Sequence, residues 1–173
     1  VASPAFRTIL FTDLQGSTAL LNEVGQTEFM LLLTEHDLII RRALVAAHGR
    51  EVKHTGDGIM ASFDEVGPAL TCALAIQDGF AERNDGSAEP ALHVRVGIAA
   101  GEPVDRGDDL FGATVNLASR ICDAAQADQV LVSDQVRDHG APLGFRFVDA
   151  GMRQLKGFAE PIQLFELGRD RPQ

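Results

Sequence analysis

The chain has 173 residues, of which 45% are hydrophobic, and its formal net charge is −10 at pH 7. This length supports a real core, and we expect a single domain over residues 1–173. The negative charge argues against broad binding to nucleic acids or anionic membranes, because a phosphate surface requires a basic protein face. No apolar run approaches bilayer-spanning length and no signal pattern opens the chain, so we predict a protein without a membrane segment.

The two cysteines and two lysines indicate the cellular compartment and candidate functional positions. Cys72 and Cys122 fall within apolar helical patterns and form no metal-ligand cluster, which predicts buried free thiols in a reducing cytoplasm. Arginine outnumbers lysine strongly, since Lys53 and Lys156 are the only lysines in the sequence. Chance alone could leave two lysines, but the bias also favours positions where a compact ammonium is needed.

The first predicted strand, Phe6–Thr12, is rich in β-branched and aromatic residues, as is typical of a buried central strand. It ends at Asp13, and Gly16, Ser17 and Thr18 then open a helical pattern. Free backbone N–H groups at such a helix start favour an anion. An ordinary helix cap by Ser17 or Thr18 fits the same residues, so both interpretations stay open.

A long amphipathic helix is predicted over Glu28–Ala47, and it ends at Gly49. We interpret His36 and His48 as solvated or capping residues rather than metal ligands. The segment Arg50–Phe63 follows and predicts two short strands joined by a tight turn at His54–Gly58.

Asp57 lies at the tip of this turn between two glycines, and Lys53 precedes it by four residues. A carboxylate at a hairpin tip usually serves only to stabilise the turn. The upstream acidic turn at Asp13 and a downstream helix carrying Asn116 and Arg120 favour a functional role instead. Asn116 and Arg120 are four residues apart and therefore share one helix face, although such a pair is often merely solvated.

The remaining elements alternate between helices and strands. The pattern predicts a helix over Val66–Phe80, a charged loop or hairpin over Glu102–Asp109, and strands over Leu92–Ala100, Val130–Ser133, Phe145–Val148 and Ile162–Leu167. Arg95 lies in the first of these strands and Lys156 in the turn before the last. This order predicts an α+β fold, a sheet with helices packed on one side.

The two aspartates and their cationic neighbours suggest phosphoryl chemistry. Asp13 and Asp57, if brought together, suit two divalent cations such as Mg²⁺, which prefers hard oxygen ligands. Arg120 would neutralise charge on a transferring phosphorus. Lys53 and Asp109 offer one donor and one acceptor, which match the ring nitrogen and exocyclic amine of adenine, whereas a guanine oxygen would be repelled by Asp109.

Five segments, FTDLQGST, VKHTGDGIMASF, VRVGIAAG, DLFGATVNLASR and LKG, together resemble the catalytic domain of class III nucleotidyl cyclases. The resemblance covers about residues 6–167 and implies a ferredoxin-like (βαββαβ-type) α+β sheet. It implies that Asp13, Asp57 and the backbone carbonyl of Leu14 bind two divalent cations, Mg²⁺ or Mn²⁺. Lys53 and Asp109 match the purine-selecting pair in its adenylyl form.

The same resemblance assigns the other candidate residues. Asn116 would orient the ribose and Arg120 would stabilise the transition state. Arg95 and Lys156 match positions that contact the triphosphate, and Gly16, Ser17 and Thr18 would belong to the substrate-binding turn.

The family builds its sites at a head-to-tail dimer interface, so we expect a homodimer. The segment Gly101–Gly112 is several residues shorter than the family's hairpin arm, which predicts weak association. The expected activity is conversion of ATP to 3′,5′-cyclic AMP and pyrophosphate in the cytoplasm. A guanylyl cyclase and a catalytically silent cyclase-like module are the alternatives.

Overall fold

The computed structural model describes residues 5–86 and 88–172. The strands are β1 (Arg7–Leu14), β2 (Arg50–His54), β3 (Ile59–Phe63), β4 (Val94–Gly101), β5 (Val104–Arg106), β6 (Asp109–Phe111), β7 (Val130–Ser133), β8 (Phe147–Arg153) and β9 (Ile162–Leu167). The helices are α1 (Ser17–Val24), α2 (Gln26–Ala46), α3 (Val66–Asp85), α4 (Ala113–Ala124) and α5 (Asp134–Gly140), and a 3₁₀ turn follows over Ala141–Leu143.

Seven strands form one sheet in the order β2-β3-β1-β4-β7-β9-β8, while β5 and β6 form a separate hairpin. β1 lies antiparallel between β3 and β4, and β4 pairs with β7 in parallel. A parallel pair requires a crossover connection, which α4 provides between β4 and β7. The predicted ferredoxin-like α+β architecture is confirmed.

Helices cover both faces of this sheet, so the prediction that they pack on one side is wrong. Neighbouring residues of β1 point to opposite faces, and both Ile9 and Leu10 are fully buried. Leu10 packs in the core formed with α2, α3 and α5, whereas Ile9 packs in a second core with Ala118 and Ile121 of α4. Strands buried on both sides require a helix on the second face as well.

His36 is fully buried, so the interpretation of this residue as solvated or capping is wrong. It lies one helical turn from both Leu32 and Ile40, and therefore on the buried face of α2. Its ring packs against Phe80 with centroids 5.6 Å apart, and burial lowers the pKa of the His36 imidazole. His48 is exposed just after α2, with a positive φ of 57°.

Several element boundaries differ from the sequence prediction. The third helix continues to Asp85, and the strand predicted over Phe145–Val148 begins at Phe147 and extends to Arg153. α5 was not predicted, because it is short and carries few apolar residues. Glu102–Asp109 contributes to the β5–β6 hairpin.

Both cysteines are buried free thiols, as predicted, and burial raises the pKa of Cys72 to about 12. Among the helices described by the structure, none combines the length and apolar character needed to cross a bilayer.

Gly97 of β4 allows the close approach of α4 to the sheet. A Cβ atom at this position would lie 2.2 Å from the Cys122 nitrogen and 2.7 Å from the Ala118 carbonyl oxygen. We predict that Gly97→Ala lowers the free energy of unfolding by about 2 kcal/mol, because backbone atoms must move to relieve the overlap.

Urea denaturation measures this effect, with Gly67→Ala of α3 as the matched control. A Cβ atom at Gly67 meets only the Leu143 side chain, at 3.1 Å, and alanine favours the helix. Equal stability of the Gly97 variant and the parent would contradict the close contact between α4 and β4.

Candidate active site

The fold brings Asp13 and the Asp57 turn together at the C-terminal end of β1. β1 and β3 are antiparallel neighbours, so the turn that precedes β3 lies beside the end of β1. The Leu14 N–H donates to the Asp57 carbonyl at 3.0 Å, and the Ile59 N–H donates to the buried Thr12 hydroxyl at 3.0 Å. A Cβ atom at Gly58 would lie 2.0 Å from the Thr12 carbonyl oxygen, so only glycine permits this contact.

Asp13 lies within β1 rather than in a turn, directly opposite Arg95 of β4. The Arg95 guanidinium donates from Nε to Asp13 Oδ2 at 2.8 Å, and Nη2 lies 2.8 Å from the same oxygen as an ion pair. Burial nevertheless raises the pKa of the Asp13 carboxyl, and the negative charge of Asp57 adds to this effect. The pair therefore carries excess negative charge that one arginine does not fully compensate.

The first turn of α1 contacts the same carboxylates. Gly16 adopts a left-handed conformation with φ 66° as the N-cap residue, and Ser17 donates from its hydroxyl to Asp57 Oδ2 at 2.6 Å. No side chain caps α1, so the capping interpretation of Ser17 and Thr18 is not what the structure shows. Ser17 instead orients the carboxylate of Asp57.

A cleft of about 160 Å³ lies beside these carboxylates, and its lining includes Asp13, Asp57, Ser119 and Asp123. Small-molecule sites usually occupy about 300–1,000 Å³, so this cleft is only part of a nucleotide-sized site. A larger groove of about 630 Å³ lies between α2 and α3, away from these carboxylates.

Asp123 was missed by sequence reasoning. Its carbonyl accepts from Arg95 Nη1 at 2.9 Å, and its carboxylate lies 3.3 Å from Arg120 Nη1. The spacing of three residues from Arg120 on one helix was the available signal. Asp123 thus links the two arginines beside the cleft.

Lys53 and Asp109 form an ion pair, with Lys53 Nζ 3.1 Å from Asp109 Oδ2. The β5–β6 hairpin folds back against β2, where Arg50 donates to the Asp108 carbonyl at 3.1 Å. The ammonium of Lys53 and the backbone N–H of Leu110 lower the pKa of the Asp109 carboxyl. Both partners are partly exposed, so their polar atoms remain accessible to a ligand.

The other predicted site residues are less closely gathered. Asn116 and Arg120 lie on α4 with exposed and partly exposed side chains, respectively. Lys156 is exposed in the turn between β8 and β9, and within residues 5–86 and 88–172 no hydrogen bond or ion pair joins it to the other candidates. Nor does any such contact in the described chain connect the carboxylates to the Lys53–Asp109 pair. Within the described part of one chain, Arg120 is linked to the carboxylates through Asp123 and Arg95, whereas the Lys53–Asp109 pair shares no hydrogen bond or ion pair with them.

The donor set of Asp13 and Asp57 fits a hard divalent cation. In the described part of the chain no three His, Cys, Asp or Glu residues converge as a complete metal cage. Mg²⁺ commonly uses one or two carboxylates and completes its shell with water and substrate phosphates. Burial, and to a lesser extent the charge of Asp57, raises the pKa of the Asp13 carboxyl, and a bound cation would favour its ionised form.

This raised pKa predicts a particular pH dependence of stability. Folded Asp13 holds its proton more tightly than unfolded Asp13, so its contribution is fully present below the ordinary pKa of 3.8 and is lost as pH rises through the folded pKa. We predict that Asp13→Asn in EDTA is at least as stable as the parent at pH 8, and that its advantage shrinks toward pH 3.8.

Chemical denaturation at several pH values tests this expectation. Asp64→Asn is the control, because the Asp64 side chain is 89% exposed. An Asp13→Asn variant that is less stable than the parent at pH 8 would contradict the predicted direction.

The chain is similar to known cyclase proteins. The family model of the adenylate and guanylate cyclase catalytic domain matches residues 5–168. A pH-sensitive adenylate cyclase of Mycobacterium tuberculosis is 34% identical over 166 residues, which cover 94% of this chain and 40% of that protein. An adenylate cyclase of Streptomyces coelicolor is 34% identical over 137 residues, covering 76% of this chain and 35% of that protein.

The fold is also shared with a solved structure, an adenylate/guanylate cyclase/hydrolase from Silicibacter pomeroyi. The two are 30% identical with a TM-score of 0.84, and the match covers 97% of this chain and 99% of the other. The chain spans less than half of the length of the curated relatives it matches. The family match over nearly all residues shows that the chain belongs to the adenylate and guanylate cyclase catalytic domain family.

Proposed function

We propose that this domain is an adenylyl cyclase, which converts ATP to 3′,5′-cyclic AMP and pyrophosphate in the cytoplasm. Family membership supports cyclase chemistry, and two relatives named adenylate cyclase support the adenylyl form. The observation that carries the choice of ATP is the contact of 3.1 Å between Lys53 and Asp109. An ammonium beside a carboxylate presents the donor and the acceptor that the adenine edge requires.

In the proposed reaction, the 3′-hydroxyl attacks the α-phosphorus in line and pyrophosphate leaves. Two divalent cations, Mg²⁺ or Mn²⁺, bound by Asp13, Asp57 and the Leu14 carbonyl would activate the hydroxyl and stabilise the departing oxygens. Ser17 holds the Asp57 carboxylate in place through its hydroxyl.

The cationic and amide side chains complete the proposed site. Arg120 stabilises negative charge on the transferring phosphoryl group, and Asn116 orients the ribose. Arg95 and Lys156 contact the triphosphate, with Gly16, Ser17 and Thr18 forming the turn beside it. Arg95 donates to Asp13, so a cation bound to this carboxylate would compete with the Arg95 guanidinium for it.

We propose further that the site is shared between two copies of the chain. In one chain no hydrogen bond or ion pair among the described residues joins the carboxylates to the Lys53–Asp109 pair, and the cleft of about 160 Å³ beside the carboxylates is small for a nucleotide. In a head-to-tail dimer, Asp13 and Asp57 of one chain would face Lys53, Asp109, Asn116 and Arg120 of the other. The short β5–β6 hairpin favours weak association.

A guanylyl cyclase is the nearest alternative, and the carboxylate of Asp109 disfavours it because guanine presents an oxygen where adenine presents an amine. A silent cyclase-like module is disfavoured because Asp13, Asp57, Asn116 and Arg120 are all present.

The direct test is incubation of the purified protein with ATP or GTP plus Mg²⁺ or Mn²⁺. We expect cyclic AMP from ATP, and no product from Asp57→Ala. Replacing Lys53 by Glu and Asp109 by Ala should remove most ATP activity, by up to about 10⁴-fold, because a mismatched hydrogen-bonding pair is heavily penalised. Undiminished cyclic AMP formation by the double variant would show that these residues do not read the base.

The shared site predicts complementation between two inactive proteins. Asp57→Ala damages one half of the site, and Asn116→Ala with Arg120→Ala damages the other half. A mixed dimer collects all lesions in one site and leaves the second intact, so mixing should restore activity, more strongly at high concentration. If the mixture stays inactive while mixed dimers are shown to form, the site lies within one chain.

A further inference from the structure

A polar cluster lies behind the Asp57 turn, where α2 packs against β2. It consists of His36, Asp37 and Arg41 from α2 and Glu51 and His54 from β2. His54 immediately precedes the Thr55–Gly58 turn that presents Asp57. Nothing in the proposed reaction uses this cluster.

The two nitrogens of His54 face partners of opposite character. Nε2 lies 3.1 Å from both carboxylate oxygens of Asp37, whereas Nδ1 lies 3.2 Å from the Gly56 nitrogen, whose N–H donates to it. A carboxylate only accepts hydrogen bonds, so Nε2 carries the proton. An N–H only donates, so Nδ1 must present its lone pair. The geometry therefore requires one neutral tautomer of His54.

Asp37 is itself held firmly. The buried His36 donates from Nδ1 to Asp37 Oδ1 at 2.8 Å, and the Asp37 side chain is only 18% exposed. Arg41 lies 3.8 Å from Asp37 Oδ2, and is mainly engaged by Glu51 through bonds of 2.7 and 3.1 Å. His36 lies on the buried face of α2 and donates to the Asp37 carboxylate. This contact holds Asp37 in place as the partner of His54.

The Gly56 N–H is fixed to His54 Nδ1, although Gly56 itself is exposed. Gly56 has a φ of 89°, and the Thr55 N–H donates to the Gly58 carbonyl at 2.8 Å. On the opposite side Ser17 and Leu14 hold Asp57. Through His54, the turn is also connected to Asp37 of α2.

We propose that Asp37 and His54 are positioning residues, which act through the Gly56 N–H to set the Asp57 carboxylate for cation binding. The chain of contacts runs from His36 to Asp37, then through His54 to Gly56. This proposal rests on the proposed role of Asp57 as a metal ligand. Supporting groups around a metal site typically change its affinity by about 10–100-fold when removed.

Two substitutions of His54 separate the two contacts. In His54→Asn the side-chain oxygen accepts from the Gly56 N–H, as in an Asx turn, but no longer reaches Asp37. In His54→Gln the longer amide reaches Asp37 but lacks an acceptor at the Nδ1 position. Asp37→Asn removes the carboxylate, and Glu51→Gln is the control, because it weakens the Arg41–Glu51 pair and leaves both contacts of His54 in place.

Mn²⁺ binding is measured by electron paramagnetic resonance of the free ion, and Gly56 amide exchange by NMR. We expect His54→Gln to weaken Mn²⁺ binding by about tenfold and to speed Gly56 exchange, with a smaller loss in Asp37→Asn. His54→Asn should stay within about twofold of the parent, as should Glu51→Gln. Rescue by asparagine distinguishes positioning through Nδ1 from a general loss of packing.

Two results with the variants would overturn the proposal. One is parent-like Mn²⁺ binding in His54→Gln, and the other is an equal loss in His54→Asn. Gly56 exchange in the parent provides a test that needs no variant, because an unprotected amide would mean that Nδ1 does not hold it. Neither measurement uses nucleotide. Failure of the parent to form cyclic AMP would therefore refute the proposed function without contradicting the positioning role of Asp37 and His54.

Discussion

The close approach of the β1 end and the Asp57 turn is the contact on which the rest of the site depends. Burial raises the pKa of the Asp13 carboxyl, and repulsion from the nearby Asp57 carboxylate adds a smaller contribution. The backbone bond from Leu14 to Asp57, the Thr12 hydroxyl and the absence of a side chain at Gly58 hold the strands together despite the repulsion. The fold thus holds the carboxylates of Asp13 and Asp57 close together, at a position where a bound cation can neutralise their charge.

Burial on both faces of the sheet accounts for the rigidity of this position. α2 and α3 pack below β1, while α4 packs on the other face against Gly97. Arg95 spans from Asp13 to the Asp123 carbonyl, so the second helix layer is tied directly to the carboxylates. A site supported from two packed layers keeps its geometry more precisely than one on a free loop.

Most strands could be located from the sequence, because runs of β-branched and aromatic residues pack well on a pleated, half-buried surface. The placement of α4 could not, because the apolar run of β1 predicts a buried central strand but does not show which helix covers each of its faces. His36 was misjudged because its polar character outweighed its position on the apolar face of α2. Asp37 could not be identified from the sequence, because its role comes from a contact with His54 of β2. For Asp123 the only signal was its spacing of three residues from Arg120, and its contact with Arg95 of β4 could not be predicted. The roles of the site residues themselves remain predictions.

The fold-back of the β5–β6 hairpin onto β2 has a consequence for regulation. Lys53 and Asp109 are in contact within a single chain, so the pair proposed to recognise adenine is already formed in the monomer. The metal carboxylates would come from the other chain. Substrate choice and catalytic rate then have different origins: the first is a property of the monomer, and the second follows the fraction of chains that are paired. A signal that changes association would alter how much cyclic nucleotide is made without altering which nucleotide is used.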